Sequence, residues 1–135
     1  MRVFIDTNIL ISCIVWPNSR TAQAFFKAAY DDGNTAVICE YSIEELYSVF
    51  SRKFSDRMSD MVNFLEKHMY VLEIVPVPYT PYEAENMIRD EKDRPLIRAA
   101  IREGVDIFIT GDKDFLESGI TTPQIMSASE FLELT

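Results

Sequence analysis

The chain has 135 residues, 47% of them hydrophobic and 26% charged, with 13 Lys and Arg against 22 Asp and Glu for a net charge of −9. A chain of this size buries roughly 65 to 70% of its unfolded surface, so it needs neither disulfides nor a structural metal to hold a core. Its apolar fraction excludes intrinsic disorder, and no apolar run approaches the ~18 to 20 residues that cross a bilayer.

The opening Met1-Arg2-Val3-Phe4-Ile5 is cut short by Asp6 and Asn8 with no small-residue cleavage site behind it, so it reads as a strand and the protein as cytosolic. Thr7 to Val15 continues as a helix until Trp16-Pro17-Asn18-Ser19 breaks the pattern. A second helix runs from Arg20 to Tyr30, with Ala22, Phe25, Phe26 and Ala29 as its apolar stripe. Asp31-Asp32-Gly33-Asn34 ends it, and Thr35 to Cys39 is a buried strand.

Ser42 with Glu45 three residues on fits a capping box that opens the next helix, whose stripe is Ile43, Leu46, Tyr47 and Phe50. Another helix, Arg57 to Tyr70, carries Met61, Phe64, Leu65 and His68. A strand from Val71 to Val75 is stopped by Pro76 and Pro78, and a short acidic helix spans Glu83 to Ile88. Arg94 to Glu103 is helical and ends at Gly104. Ile107-Phe108-Ile109 is a fourth strand, Gln124-Ile125-Met126 a fifth, and Ala128 to Leu134 a last helix.

Short buried strands alternating with helices define an α/β chain with a parallel sheet covered on both faces, expected as one domain over residues 1–135. Cys13 and Cys39 sit among apolar neighbours without any Cys-x-x-Cys spacing and read as buried reduced thiols. The single His68 leaves no histidine pair for a metal and no Ser/His/Asp set, so it reads as structural.

In open α/β sheets ligands bind beyond the carboxyl ends of the strands. Acids stand there: Asp6 closes the first strand, Asp112 follows the fourth, Glu45 lies early in the helix after the second, and Asp93 begins the helix before the fourth. Each of them singly fits a helix cap, which stabilises by about 0.5 to 2 kcal/mol. Together they weaken that account, because carboxylates within ~4 to 6 Å repel by a few kcal/mol at an effective dielectric near 20, and a proton or a cation must relieve them. An all-oxygen donor set favours Mg²⁺ or Mn²⁺, and the matching chemistry is metal-assisted phosphodiester hydrolysis.

These residues carry a resemblance. Phe4-Ile5-Asp6-Thr7-Asn8-Ile9-Leu10, Ser42 to Phe50 with its Glu45-Leu46 pair, Asp90-Glu91-Lys92-Asp93 leading into Leu96 to Ala100, and Ile109-Thr110-Gly111-Asp112-Lys113-Asp114-Phe115-Leu116 together resemble the PIN domain family, in particular its VapC-like toxin ribonucleases. The resemblance implies a three-layer α/β/α fold with a five-stranded parallel sheet of order 3-2-1-4-5. It also implies a divalent-metal-dependent endoribonuclease, the toxin of a toxin–antitoxin pair, with Asp6, Glu45, Asp93 and Asp112 as catalytic metal ligands. Asp114 is implied as a further ligand through water, and Thr7, Asn8 and Thr110 as supporting hydrogen-bond partners. Glu44 competes with Glu45 and Asp90 with Asp93; the family's Glu-Leu pair and the Arg94-Pro95-Leu96 helix start favour Glu45 and Asp93.

Charge departs from the expectation for a ribonuclease, since the surface stays net negative even without the four acids. RNA contacts are therefore sought in local clusters: Arg52, Lys53 and Arg57, and nearer the acids Arg94, Arg98, Arg102 and Lys113. The acidity also suits an antitoxin with a basic segment. The family commonly dimerises, and Trp16, Tyr79 and Tyr82 are candidate interface aromatics. The competing function is a silent PIN-like module that binds RNA or protein without cutting. A receiver or haloacid-dehalogenase-like site ranks lower, because Asn8 stands where the second would need an Asp and no phosphoacceptor Asp follows the third strand.

Overall fold

The computed structural model describes residues 1–134. Five strands, β1 (Arg2–Ile5), β2 (Thr35–Cys39), β3 (Leu72–Val75), β4 (Ile107–Ile109) and β5 (Gln124–Met126), pair in parallel in the order β3-β2-β1-β4-β5. Parallel neighbours need long crossovers. These are supplied by α1 (Thr7–Val15), α2 (Arg20–Tyr30), α3 (Glu40–Lys53), α4 (Met58–His68), α5 (Arg94–Glu103) and α6 (Lys113–Leu116), and α7 (Ala128–Glu133) follows the last strand. Strand order reverses between β1 and β4, the place where an open sheet leaves a crevice at its carboxyl end.

Alternation along the strands divides the core in two. Val3, Ile5, Ala36, Ile38, Ile107 and Ile109 point to one face, under α1, α2, α3, α4 and α7. Phe4, Val37, Cys39 and Phe108 point to the other, where Leu96, Ile97, Ala99 and Ala100 of α5 and Phe115 of α6 cover them. Phe4 and Phe108 stack at 5.2 Å between ring centroids across the β1–β4 pair. That pair is in register Val3↔Ile107, Phe4↔Phe108, Ile5↔Ile109, so the next residues on each strand, Asp6 and Thr110, leave the sheet opposite one another.

Several local expectations are corrected. The helix after β2 starts at Glu40, and Ser42 is buried beside Cys39 Sγ at 3.6 Å, so the Ser42–Glu45 capping box does not form. The expected helix from Arg57 to Tyr70 is a 3-10 turn at Ser55–Arg57, then α4, then a 3-10 turn at Met69–Val71. Arg57 explains its beginning. Its guanidinium donates to the carbonyls of Ile14 and Val15 at the end of α1 and pairs with Asp60 at 2.9 Å, which holds Arg57 outside the helix. The segment Glu83–Met87 is 3-10 rather than α. Phe26 and Tyr47 are 42% and 46% exposed instead of lying in the core, while Ala24 and Ala28 are fully buried where α2 packs closely. Cys13 and Cys39 are buried and free. No helix among the described residues is long and apolar enough to cross a membrane.

His68 is buried at the end of α4, its Nδ1 2.5 Å from the Tyr30 hydroxyl and its ring enclosed by Phe25, Phe26 and Phe64. Burial lowers its pKa, with Lys67 adding to the effect. This is a satisfied structural histidine.

Arg98 is corrected from an RNA contact to a structural cation. It forks onto the buried Glu85 carboxylate at 2.7 and 2.9 Å and donates to the Pro78 carbonyl at 3.2 Å, tying the Pro76–Pro81 strap to α5. Removing one member of such a pair leaves the other charge buried alone and costs about 3 to 5 kcal/mol. Arg98→Ala is expected to lower urea-unfolding stability by about that much; a change under about 1 kcal/mol would contradict the pairing.

Candidate active site

Asp6 is 2% exposed at the end of β1. It occupies the N-cap position of α1 yet makes no cap hydrogen bond. Its Oδ2 instead accepts from Thr110 Oγ1 at 2.7 Å, across the β1–β4 register. The same hydroxyl accepts the Asp112 amide at 3.0 Å, and Asp112 Oδ1 accepts the Asp114 amide at 2.9 Å. Thr110, fully buried, thus fixes both Asp6 and the loop carrying the next two acids.

Glu45 comes from the second turn of α3, where its Oε1 accepts from Thr7 Oγ1 at 2.7 Å. Glu44 points outward, exposed. Asp93 closes the 3-10 turn Glu91–Asp93 and sits at the N-cap of α5 without capping it, while Asp90 is spent on the Lys92 amide at 3.0 Å. Carboxylate oxygens of Asp93, Asp112 and Asp114 lie within 4.8 Å of one another. Asn8 is exposed on the first turn of α1. Of the four acids at cap positions or early helical turns, only Asp112 acts as a cap.

Electrostatics follow from this crowding. Burial pushes Asp6 up to about 7 against the Thr110 hydrogen bond, and Asp93, Glu45 and Asp112 push it further in the same direction. Asp93 is raised to about 6 by burial and by Asp90, Asp112, Glu45 and Asp114. Glu45 is raised by burial, opposed by Thr7. One buried and several half-buried carboxylates, with oxygen donors only, make a donor set of the type that a hard divalent cation takes.

The expected cations divide. Lys113 is exposed beside Asp112, and Arg94 is half-buried, donating to the Ile88 carbonyl at 3.0 Å. Arg52 and Lys53 are exposed at the far end of α3, roughly 11 to 12 Å along the axis from Glu45. Arg57 is committed to α1 and Asp60, as described, and Arg102 is exposed at the strap. Two neighbours escaped the sequence. Arg89 pairs with Asp114 at 2.7 Å, and Tyr41 donates its hydroxyl to the Lys92 carbonyl at 3.1 Å. Arg89 stands next to the Asp90–Asp93 run, which is the one signal that marked it.

An open parallel sheet with carboxylates gathered at its switch point describes a class of α/β domains, and comparison with known proteins gives the family. A family model described as PIN domain matches residues 2–114, and the chain belongs to that family. Among curated proteins none is significantly similar in sequence. Among solved structures, VapBC2 from Rickettsia felis, crystallised with a DNA fragment of its promoter, contains a chain 20% identical with a TM-score of 0.68, covering 94% of this chain and 98% of that one. DNA-bound VapBC from Salmonella typhimurium contains one 16% identical with a TM-score of 0.66, covering 95% and 98%. The fold, including the 3-2-1-4-5 sheet, is that of these chains.

The raised pKa values of Asp6 and Asp93 set the sign of a pH dependence. Between about pH 4 and 7 the folded chain holds protons on these acids that the unfolded chain has released, so metal-free stability falls as pH rises through that window. In EDTA the melting temperature is expected to be higher at pH 5 than at pH 8, and Asp6→Asn removes most of the difference. A melting temperature that rises over the same interval would contradict the burial argument.

Proposed function

We propose that the chain is a divalent-metal-dependent endoribonuclease that hydrolyses RNA phosphodiester bonds and serves as the toxin of a toxin–antitoxin pair. The observation that carries this reading is Asp6: a buried carboxylate at a cap position that does not cap, held instead by Thr110 where Asp93, Glu45 and Asp112 all raise its pKa. Membership of the PIN domain family supports the nuclease class.

Asp6, Glu45, Asp93 and Asp112 would hold the ion, with Asp114, whose carboxylate lies within 4.8 Å of those of Asp93 and Asp112, as a further ligand through water. Such an ion supplies Lewis-acid activation of a water and neutralises charge at the scissile phosphate. The chain's own contribution is placement. Thr110 and Thr7 orient the Asp6 and Glu45 carboxylates, leaving each one oxygen outside these two hydrogen bonds. Asp6, with a pKa of about 7, keeps its proton further into the neutral range than Asp93 at about 6, and a bound cation would favour the ionised form of both. Arg89 and Lys113 border the acids and offer the cationic rim that a polyanion needs on an otherwise acidic molecule. Asn8, exposed on the first turn of α1, is a supporting contact to substrate phosphate, and Arg94, Arg52 and Lys53 extend the RNA path away from the acids.

An antitoxin partner fits the remaining surface. The net charge of −9 suits a basic segment, and the exposed Trp16, Phe26, Tyr30, Met69 and Tyr70 give an apolar one somewhere to pack. The two similar solved chains were crystallised as VapBC complexes on DNA. A homodimer in the cytoplasm is the form expected.

Purified protein incubated with a mixed RNA pool is expected to give discrete products with Mg²⁺ or Mn²⁺, none with EDTA, and none from Asp6→Asn. An equally active Asp6→Asn variant would overturn the nuclease assignment, while metal binding without any cleavage would favour the silent module. Thr110→Val keeps the shape of the buried side chain and deletes the hydroxyl that orients Asp6. Calorimetry is expected to show Mn²⁺ affinity about 10- to 100-fold weaker, and unchanged affinity would contradict the orienting role.

A further inference from the structure

A cleft of about 290 Å³ lies beside the acids, lined by Glu40, Tyr41, Glu44, Pro76, Val77 and Tyr79. We propose that it takes a nucleobase of single-stranded RNA next to the scissile phosphate, with guanine preferred. This rests on the ribonuclease reading above and adds to it the class of sequence selected.

Four observations converge on this occupant. Glu40 follows β2 and Pro76 follows β3, so the cleft opens at the carboxyl ends of neighbouring strands, on the rim that carries the acids. Tyr41 forms a wall common to both places: its hydroxyl reaches the Lys92 carbonyl in the turn that carries Asp93, and after burial it is Glu45 and Asp93 that raise its phenol. Tyr79 is 101% exposed, a large aromatic ring given wholly to water. It is not on a loose loop, because Pro76, Pro78 and Pro81 restrict the backbone and Arg98 holds the Pro78 carbonyl. An aromatic face presented on a stiff strap is how single-stranded nucleic acid is stacked.

Charge then selects among bases. Glu40 and Glu44 stand one turn apart on the exposed face of α3, and neither forms an ion pair among the described residues. Carboxylates repel a phosphate and accept N–H groups. A flat group with N–H donors, joined to a phosphate that belongs at the neighbouring acids, is a nucleobase. Guanine offers a ring N–H and an amino group side by side, which one carboxylate accepts together; the other bases offer no such pair.

The test begins by mapping wild-type cut sites on mixed single-stranded RNA with Mg²⁺, where guanine is expected at one fixed position beside the cut. Tyr79→Ala is expected to raise KM about 5- to 100-fold with a smaller effect on kcat, and Tyr79→Phe to restore it. Glu40→Gln and Glu44→Gln are expected to narrow the guanine-over-adenine ratio in kcat/KM. Cleavage without base preference, or a preference unaltered in all these variants, overturns the subsite and leaves the nuclease standing. A second readout is independent of catalysis. In EDTA, guanosine 5′-monophosphate is expected to shift the NMR signals of Tyr41 and Tyr79 at concentrations where uridine 5′-monophosphate does not. No shift, or equal shifts, overturns the subsite. Guanosine-selective shifts in a chain that cuts no RNA retain the subsite and overturn the nuclease.

Discussion

The structure is organised around the cost of burying one carboxylate. Asp6 follows three fully buried strand residues, and its position at the end of β1 is imposed by the sheet. Burial is the largest reason its carboxyl resists ionisation, and Asp93, Glu45 and Asp112 act in the same direction. Thr110 offsets part of that cost with one strong hydrogen bond to charged oxygen. The remainder is an unsatisfied demand for positive charge, and no guanidinium or ammonium of the described residues lies within ion-pair distance of Asp6, Glu45, Asp93 or Asp112. Arg89 is spent on Asp114, at the outer edge. Arg89 and Lys113 border the acids, and the centre itself holds carboxylates without a paired cation among the described residues.

Much of this was legible in the sequence because it is local. Val3-Phe4-Ile5 before Asp6 and Ile107-Phe108-Ile109 before Thr110 and Asp112 mark buried strands ending in polar residues, and a parallel sheet brings such ends to one rim. Of the neighbouring pair, Glu45 meets Thr7 and Glu44 faces water, a difference that their shared position off the apolar stripe does not reveal. Sheet order was not contained in periodicity and came only through resemblance.

What the sequence hid depends on long-range partners. Arg98 and Arg57 read as free cations, yet one is matched to Glu85 and the other to carbonyls more than 40 positions away. Arg89 meets Asp114 from 25 positions off. The Ser42–Glu45 spacing is a true capping signal in isolation, overridden because β2 runs straight into α3 at Cys39 and Glu40 and takes Ser42 into the core. Phe26 and Tyr47 fit a helical stripe but lie at its margin, where they stay largely exposed. Side-chain periodicity tells which face is buried and not how wide that face is.

An acidic surface is then less of a paradox for a molecule proposed to act on RNA. On the proposed reading, cations at the acids and the short basic rim of Arg89 and Lys113 would meet the phosphates, while Glu40 and Glu44, outside the centre, would accept N–H donors. The central claim is that the Asp6 cluster is a cation seat whose protons the cation displaces. Mn²⁺ titration by calorimetry near pH 6.5, in buffers of different ionisation enthalpy, measures this directly. The account predicts binding accompanied by release of about one proton per ion, given acids with pKa values of about 7 and 6. Binding with no proton release, or no binding at all, would contradict it.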